Sequence, residues 1–414
     1  MKTKTISLLL VLCMCLFLFA GCQDAKLYSL SEDAAASGEA VEPTTTPQET
    51  ATPKDYTAAY LAYPSDQVML TVDGYEVTWG ELFYWYIYDV SNIESYFGAI
   101  TDWDAVSPFD STKSYREYVS ETGLNMVSQY CSLEKKAADM GIALTDIDET
   151  MLESAWQDMI DSYGGGSEDA LLEFLQSAYL SKDVYQHINR VTQLYTRVLA
   201  EMFGENGEKI SDAEIKSVGG DMGYMRVKHL LISTLDDTKT ELPEAQLAEK
   251  EARANELYEE LSAITDKTAL EARLDELIAA EGDDPGAAYY TGGYTFIYGD
   301  YNNEPFESAS QALGEYELSG VVKSSLGYHI ILRLPLDKSV PMNYTSETAY
   351  TTIGTVVAQE LFNAEASSWA AQAEVVTTDA YDNLDLAAIF ELANEAAKAA
   401  AETPSAEPEE SPAA

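Results

Sequence analysis

Basic residues are scarce in this chain: 24 lysines and arginines stand against 71 aspartates and glutamates, for a formal net charge of -47. A nucleic-acid backbone would be repelled by such a surface, which excludes nucleic acid as a partner. Usable thiols are scarcer still. Cys13 and Cys15 lie in an N-terminal apolar run and Cys22 closes it, so Cys131 stands alone in the body of the chain. A lone thiol makes neither an internal disulfide nor a cysteine-based metal site. The helical pattern "LNMVSQYCSLEKKA" around Cys131 predicts a small core residue. The apolar run Leu8–Ala20 falls short of the roughly 20 residues that a membrane span needs. Histidine is nearly absent, with three in all, yet His229 and His329 both sit in strand-like apolar runs.

Hydrophobic residues make up 46% of the chain and 28 tyrosines are present, too much core material for a disordered polymer. The first residues have the build of a secretory signal: Lys2 and Lys4 precede the apolar run, and "LFAGC" ends it with small residues before Cys22. This segment resembles a bacterial lipobox, which implies a signal over 1–21 and a lipid-bearing Cys22 that tethers the chain to the outer face of the cell membrane. The Pro/Thr-rich, acidic stretch that follows predicts a disordered linker over 22–55, and a similar tail is predicted over 401–414. About 340 residues remain, enough for two domains.

"VMLTVDGYEVTW" predicts a hairpin turning at Asp73-Gly74. Thr78 and Glu81 then predict a capping box that opens an aromatic helix. Further helices are predicted over about 113–140, 146–163, 168–178 and 182–204, with a second box at Ser211 and Glu214. His187, within a helical run, is predicted to be structural. From 223 the pattern becomes β-α-α-β-α-β-β, the order of an α+β domain with a small antiparallel sheet. After Pro335 a long helix is predicted over 346–373, interrupted at Gly354, and then a short strand in "AEVVTT". All five tryptophans lie outside 223–337, and Trp369 suggests that the C-terminal helix returns to the N-terminal lobe.

The blocks "VKHLLI", "PFESASQAL" and "GEYELSGVVKSSLGYHIIL" resemble those of the parvulin-type (rotamase) peptidyl-prolyl cis-trans isomerases. "VDGYEVTWGELFYW", "EKKAADMGIALTD" and "ISDAEI" resemble the SurA-like helical chaperone lobe of PrsA-type extracytoplasmic foldases. The resemblance implies an α+β chain in which a parvulin-like domain over 223–337 is inserted in a mainly helical lobe, 56–222 with 338–400. It implies catalysis of X-Pro isomerisation without a cofactor. The partners it implies are unfolded secreted proteins and, through the lipid, a membrane; it also allows a homodimer. His229, Asp284, His329 and Ser324 match the family's polar site positions. Tyr294, Phe296 and Phe306 match its proline-binding wall. Where the family usually carries methionine this chain has Asn302, with Tyr301 beside it as the candidate replacement.

No metal is expected at the histidine pair, because zinc wants three or four ligands and no third histidine or thiol lies in this region. "DYNNEPFE" has the oxygens of a calcium loop, but Pro305 stands where an EF-hand needs glycine. Two other readings stay open on the residues: a holdase whose parvulin-like domain is catalytically weak, and a ligand-binding surface lipoprotein.

Overall fold

A computed structural model describes residues 55–346 and 349–402. The signal segment, Cys22, the linker and the tail after 402 lie outside the described residues. After a single helical turn at Thr57–Tyr60, the elements in chain order are β1 (Val68–Val72), β2 (Tyr75–Thr78), α1 (Trp79–Phe97), α2 (Tyr115–Asp139), α3 (Asp146–Tyr163), α4 (Glu168–Gln176), α5 (Lys182–Phe203) and α6 (Asp212–Asp221). Next come β3 (Met225–Ser233), α7 (Glu244–Ser262), α8 (Lys267–Glu281), β4 (Tyr294–Phe296), α9 (Glu304–Ala312), β5 (Leu318–Lys323) and β6 (Gly327–Leu334). The last are β7 (Pro341–Ser346), β8 (Ala349–Thr352), α10 (Ile353–Gln372), β9 (Val375–Thr377) and α11 (Leu386–Glu402). The fold is α+β, with small antiparallel sheets among helices. Among the described residues no helix is long and apolar enough to cross a membrane.

The chain divides into two compact units, one running to Arg197 and resuming at Asn363, the other spanning Val198–Phe362. The second unit is therefore wider than the 223–337 segment expected from sequence: it also takes in the end of α5, α6, the β7–β8 hairpin and the start of α10.

In the first unit β1 and β2 pair around the Asp73-Gly74 turn, with Val72 opposite Tyr75. The returning chain supplies the third strand, since β9 pairs antiparallel with β1 and sets Leu70 opposite Thr377. Helix α1 is aromatic all round because it is central: Trp79, Phe83, Trp85 and Tyr86 are fully buried. Phe390 of α11 stacks on Phe83 at 5.8 Å and on Trp103 at 4.9 Å, so the C-terminal segment closes this core. Lys136 lies 5.1 Å from the Trp369 ring, a cation–π contact that fixes the end of α10 in the same unit. Thr78 caps α1 by accepting from the Glu81 N–H, but the reciprocal half of the predicted box is missing. The Glu81 carboxylate turns inward instead and meets His187 Nδ1 at 3.0 Å.

In the second unit the strands lie in the order β4-β3-β6-β5. Alternate residues of β3 and β6 face opposite sides of the sheet. Leu230, Ile232, Tyr328, Ile330 and Leu332 pack with Leu257, Leu261 and Leu274 of α7 and α8. Met225, Val227 and Ile331 pack on the other side with Phe296 and Phe306. Both faces being covered, both strands read as nearly continuous apolar runs. Gly327 opens β6 because a Cβ there would lie 2.3 Å from the carbonyl oxygen of Ile232. The long helix expected over 346–373 is corrected at its start. β-branched and aromatic residues, Tyr350, Thr351 and Thr352, favour the extended form, so β8 precedes the helix. Gly354 lies at the N-terminus of α10 rather than interrupting it. A Cβ at Gly354 would meet the Asn206 carbonyl oxygen at 2.5 Å, so close backbone approach accounts for the glycine.

Candidate active site

β3 and β6 pair so that His229 lies opposite Ile331 and Leu231 opposite His329. The two histidines are diagonal neighbours on one sheet face, with ring centroids 5.3 Å apart. Both are buried, His329 to 2% exposure. Their Nδ1 atoms meet at 3.3 Å. On the far side of His329, Nε2 is 2.7 Å from Ser324 Oγ. On the far side of His229, Nε2 is 3.2 Å from Asp284 Oδ2, which also accepts the Tyr294 hydroxyl at 2.5 Å. Asp284 is placed by its own backbone turn, where it caps the short helix 285–288 by accepting from Gly286 N–H at 3.0 Å.

A carboxylate only accepts, so His229 donates to Asp284 from Nε2. His329, held neutral by burial, has one donating and one accepting nitrogen, and these face His229 Nδ1 and Ser324 Oγ. The Leu326 N–H donates to Ser324 Oγ at 3.1 Å and fixes that end. Ser324, His329, His229, Asp284 and Tyr294 therefore form one continuous polar chain in which each buried polar group has its partner.

The surroundings set the charges. Burial pushes the His329 pKa down to about 3, reinforced by its proximity to His229. For Asp284, burial pushes the pKa up, but the bonds from His229, Tyr294 and Gly286 outweigh it and hold the carboxyl at about 2. Burial and the bond to Asp284 push the Tyr294 phenol well above its ordinary value. Among the described residues no group of three His, Cys, Asp or Glu side chains is gathered to hold a metal.

Above this floor lies a cavity of about 190 Å³, lined by Tyr294, Tyr301, Asn303, Phe306, Leu231 and Leu326 with the two histidines and Asp284. The Phe306 ring lies 4.9 Å from His229 and 5.2 Å from His329. Tyr301 packs edge-on to Phe296 at 5.0 Å and to Phe306 at 6.4 Å, so it fills the wall beside Asn302, where the family's methionine is missing. Phe296 is the one predicted wall residue that requires correction. It is 1% exposed and stacks beneath Phe306 at 5.8 Å, so it backs the wall without facing the cavity. The others, His229, His329, Asp284, Ser324, Tyr294, Tyr301 and Phe306, are brought together.

Sequence reading missed Leu231, Leu326, Asn303 and Glu307. Leu231 could have been found, since it lies two residues from His229 and shares its face. Glu307 is 2% exposed and accepts from Tyr301 N–H at 2.7 Å and Gly299 N–H at 3.2 Å, so it anchors the loop that carries Tyr301. Only the fold shows why a glutamate directly after Phe306 would turn inward.

Residues 209–333 match the family model of the PPIC-type PPIase domain. The second unit thus carries a parvulin-type peptidyl-prolyl isomerase domain. Over 201 residues, 49% of this chain and 55% of that protein, the sequence is 28% identical to the foldase protein PrsA of Staphylococcus aureus (strain MRSA252). It spans about half the length of the curated relatives it matches. Among solved structures, the peptidyl-prolyl isomerase ESS1 from Candida albicans aligns at 23% identity over 30% of this chain and 71% of its own, with a TM-score of 0.22. PrsA from Bacillus subtilis aligns at 15% identity over 84% and 96%, with a TM-score of 0.19.

Proposed function

We propose that the chain is an extracytoplasmic foldase that isomerises X-Pro bonds and assists the folding of secreted proteins, tethered to the membrane by lipid on Cys22. The observation that carries this reading is the apolar cup of Phe306 and Tyr301 over a floor of mutually hydrogen-bonded polar groups. An X-Pro bond rotates over a barrier of about 18–20 kcal/mol and takes tens to hundreds of seconds unaided. Its transition state is a twisted amide with a less negative oxygen and a more basic nitrogen. A dry cup for the proline ring, with fixed dipoles placed for the twisted form, favours that state over both planar ones. No covalent step is needed. Phe306 receives the ring, while Ser324, His329, His229 and Asp284 hold the floor rigid and oriented.

The helical unit supplies a surface for holding unfolded segments. Tyr96 is 77% exposed and Phe97 53% exposed, and Phe97 continues through Phe109 at 5.4 Å to Tyr118 at 5.6 Å. Two exposed rings continued by the half-buried Phe109 and Tyr118 suit apolar stretches of a client chain.

A coupled isomerisation assay on neutral proline peptides tests the proposal. His229→Ala, His329→Ala and Phe306→Ala should each reduce turnover, Phe306→Ala most. No turnover of any peptide by a folded chain, with aggregation of a model substrate still suppressed, would leave only a holdase. Mass spectrometry of the mature N-terminus checks the tether: lipid should be found on Cys22 and be lost in Cys22→Ser.

A further inference from the structure

A second and larger cavity, of about 510 Å³, lies against the same His229, Asp284 and Tyr294 that border the proline cup. Its other walls include Asp275, Ile278 and Ala288 with the Tyr290 ring, which lies 4.7 Å from that of Tyr294. At its edge the nearly buried Lys228 ammonium is spoken for, 2.8 Å from Asp275 and 3.0 Å from Glu271. We propose that this cavity is a specificity subsite for the cationic side chain of a lysine or arginine flanking the client's proline. The proposal rests on the isomerase reading given above.

Three features select a cation. The carboxylates of Asp275, Asp284 and Glu271 exceed the single charge of Lys228 by two, so an anionic guest meets net repulsion. Asp275 keeps about half of its side chain exposed, 48%, and so has room for a second cation beside Lys228. The Tyr290 and Tyr294 rings offer aromatic faces, and Ile278 and Ala288 an apolar bed for the guest's methylene stem. Because the cavity and the proline cup share a wall, a peptide held by its proline brings a neighbouring side chain to the subsite.

The test uses the intact chain and proline peptides that carry one arginine, moved through the three positions on either side of the proline. Each is paired with the same peptide bearing citrulline, which keeps the shape and removes the charge. At one position arginine should exceed citrulline in kcat/KM by about five-fold, the worth of one partly exposed ion pair. Asp275→Asn, which leaves Lys228 paired with Glu271, should bring that ratio close to one, whereas Asp275→Glu should retain most of it. Equal rates for arginine and citrulline at every position would overturn the subsite. So would an advantage spread over all positions and unchanged by Asp275→Asn, which would be general attraction to an acidic chain. If no peptide is isomerised, the isomerase reading fails by itself. The subsite is then judged from fluorescence-anisotropy titrations of the same labelled peptides, where a binding preference for arginine lost in Asp275→Asn supports it and its absence overturns it.

Discussion

His187 in the helical unit lies between two carboxylates, with Nδ1 3.0 Å from Glu81 and Nε2 3.1 Å from Glu134. His229 and His329 in the sheet unit lie against each other, with Asp284 at one end of the pair and Ser324 at the other. Burial lowers the pKa of His187, but the bonds and charges of Glu134 and Glu81 outweigh it and raise it to about 10. Burial dominates for His329 and holds it neutral, at about 3. The same side chain serves as a structural cation in one unit and as a neutral relay of hydrogen bonds in the other. What decides is the number of acceptors that face it. In a chain with few lysines and arginines, a histidine with a carboxylate on each nitrogen supplies a half-buried positive charge.

The largest effect should come from breaking the charged arrangement. His187→Leu leaves Glu81, 5% exposed, and Glu134 without the cation that lies between them. Removing one partner of a buried pair costs on the order of 3 kcal/mol. All five tryptophans belong to this unit, so the loss should appear as a lower urea midpoint in tryptophan fluorescence. An unchanged midpoint would show that the two carboxylates find other partners.

Acid should act on the sheet unit. The unfolded chain takes a proton on His329 near pH 6.5, and the folded chain refuses it until about pH 3. Stability therefore falls as pH falls, by about 2–3 kcal/mol between pH 6.5 and 4.5. Asp284, held at about 2, keeps its contribution across this window and loses it only below pH 4. Hydrogen exchange of the 225–233 and 327–334 segments, corrected for intrinsic rates, reads the change. His329→Phe should flatten the slope, and an equal slope in that variant would assign it elsewhere.

Alkali should act on the helical unit, with the opposite sign. The contribution of charged His187 is complete below pH 6.5 and is lost as pH rises towards 10. His187 is partly exposed, so the loss should be about 1–2 kcal/mol by pH 9. Tryptophan-monitored urea midpoints at pH 6.5 and 9 measure it, and His187→Gln should remove the slope. A slope of equal size in His187→Gln would place the titration on another group.

Much of this contrast could be read before any coordinates. The period-2 pattern of "VKHLLI" and "GYHIIL" sets both histidines among apolar neighbours, and a strand pair with those residues on one face brings them together. Asp284 is reached only through the family resemblance, which places a polar residue in the loop after the second helix and leaves Asp283 one residue off. Other features depend on tertiary geometry that local pattern does not encode. Glu81 at N3 of α1 is equally suited to reach back to Thr78 or inward to His187, and only the packing of α2 and α5 decides. Tyr294 and Phe296 share one face of the short strand β4, two residues apart, so the period-2 pattern gives no sign that the first lines the cavity while the second sits behind Phe306. The β7–β8 hairpin was hidden because its threonines and tyrosines also fit a helix pattern until the close approach at Gly354 fixes where α10 starts.

The smallest effect concerns a buried carboxylate, Glu307, with no ion pair among the described residues. Glu307 accepts two backbone N–H groups, from Gly299 and Tyr301, and so holds the loop beside the cavity over the histidine pair. In Glu307→Gln the side-chain carbonyl can still accept one of them, while the amide nitrogen, a donor, turns towards the other. One hydrogen bond is lost, worth about 1 kcal/mol. The damage is local, because the loop is joined to the sheet through Tyr301 and the short strand β4 and not through the histidine pair. The urea midpoint should drop only by the small amount that about 1 kcal/mol implies, while kcat/KM for a neutral proline peptide should fall by no more than about five-fold as Tyr301 loses its fixed position. Tyr301→Leu in the same background should then add little further loss, since the ring it removes is already loosened. Full additivity of the two losses would show that Glu307 acts on the site through something other than Tyr301.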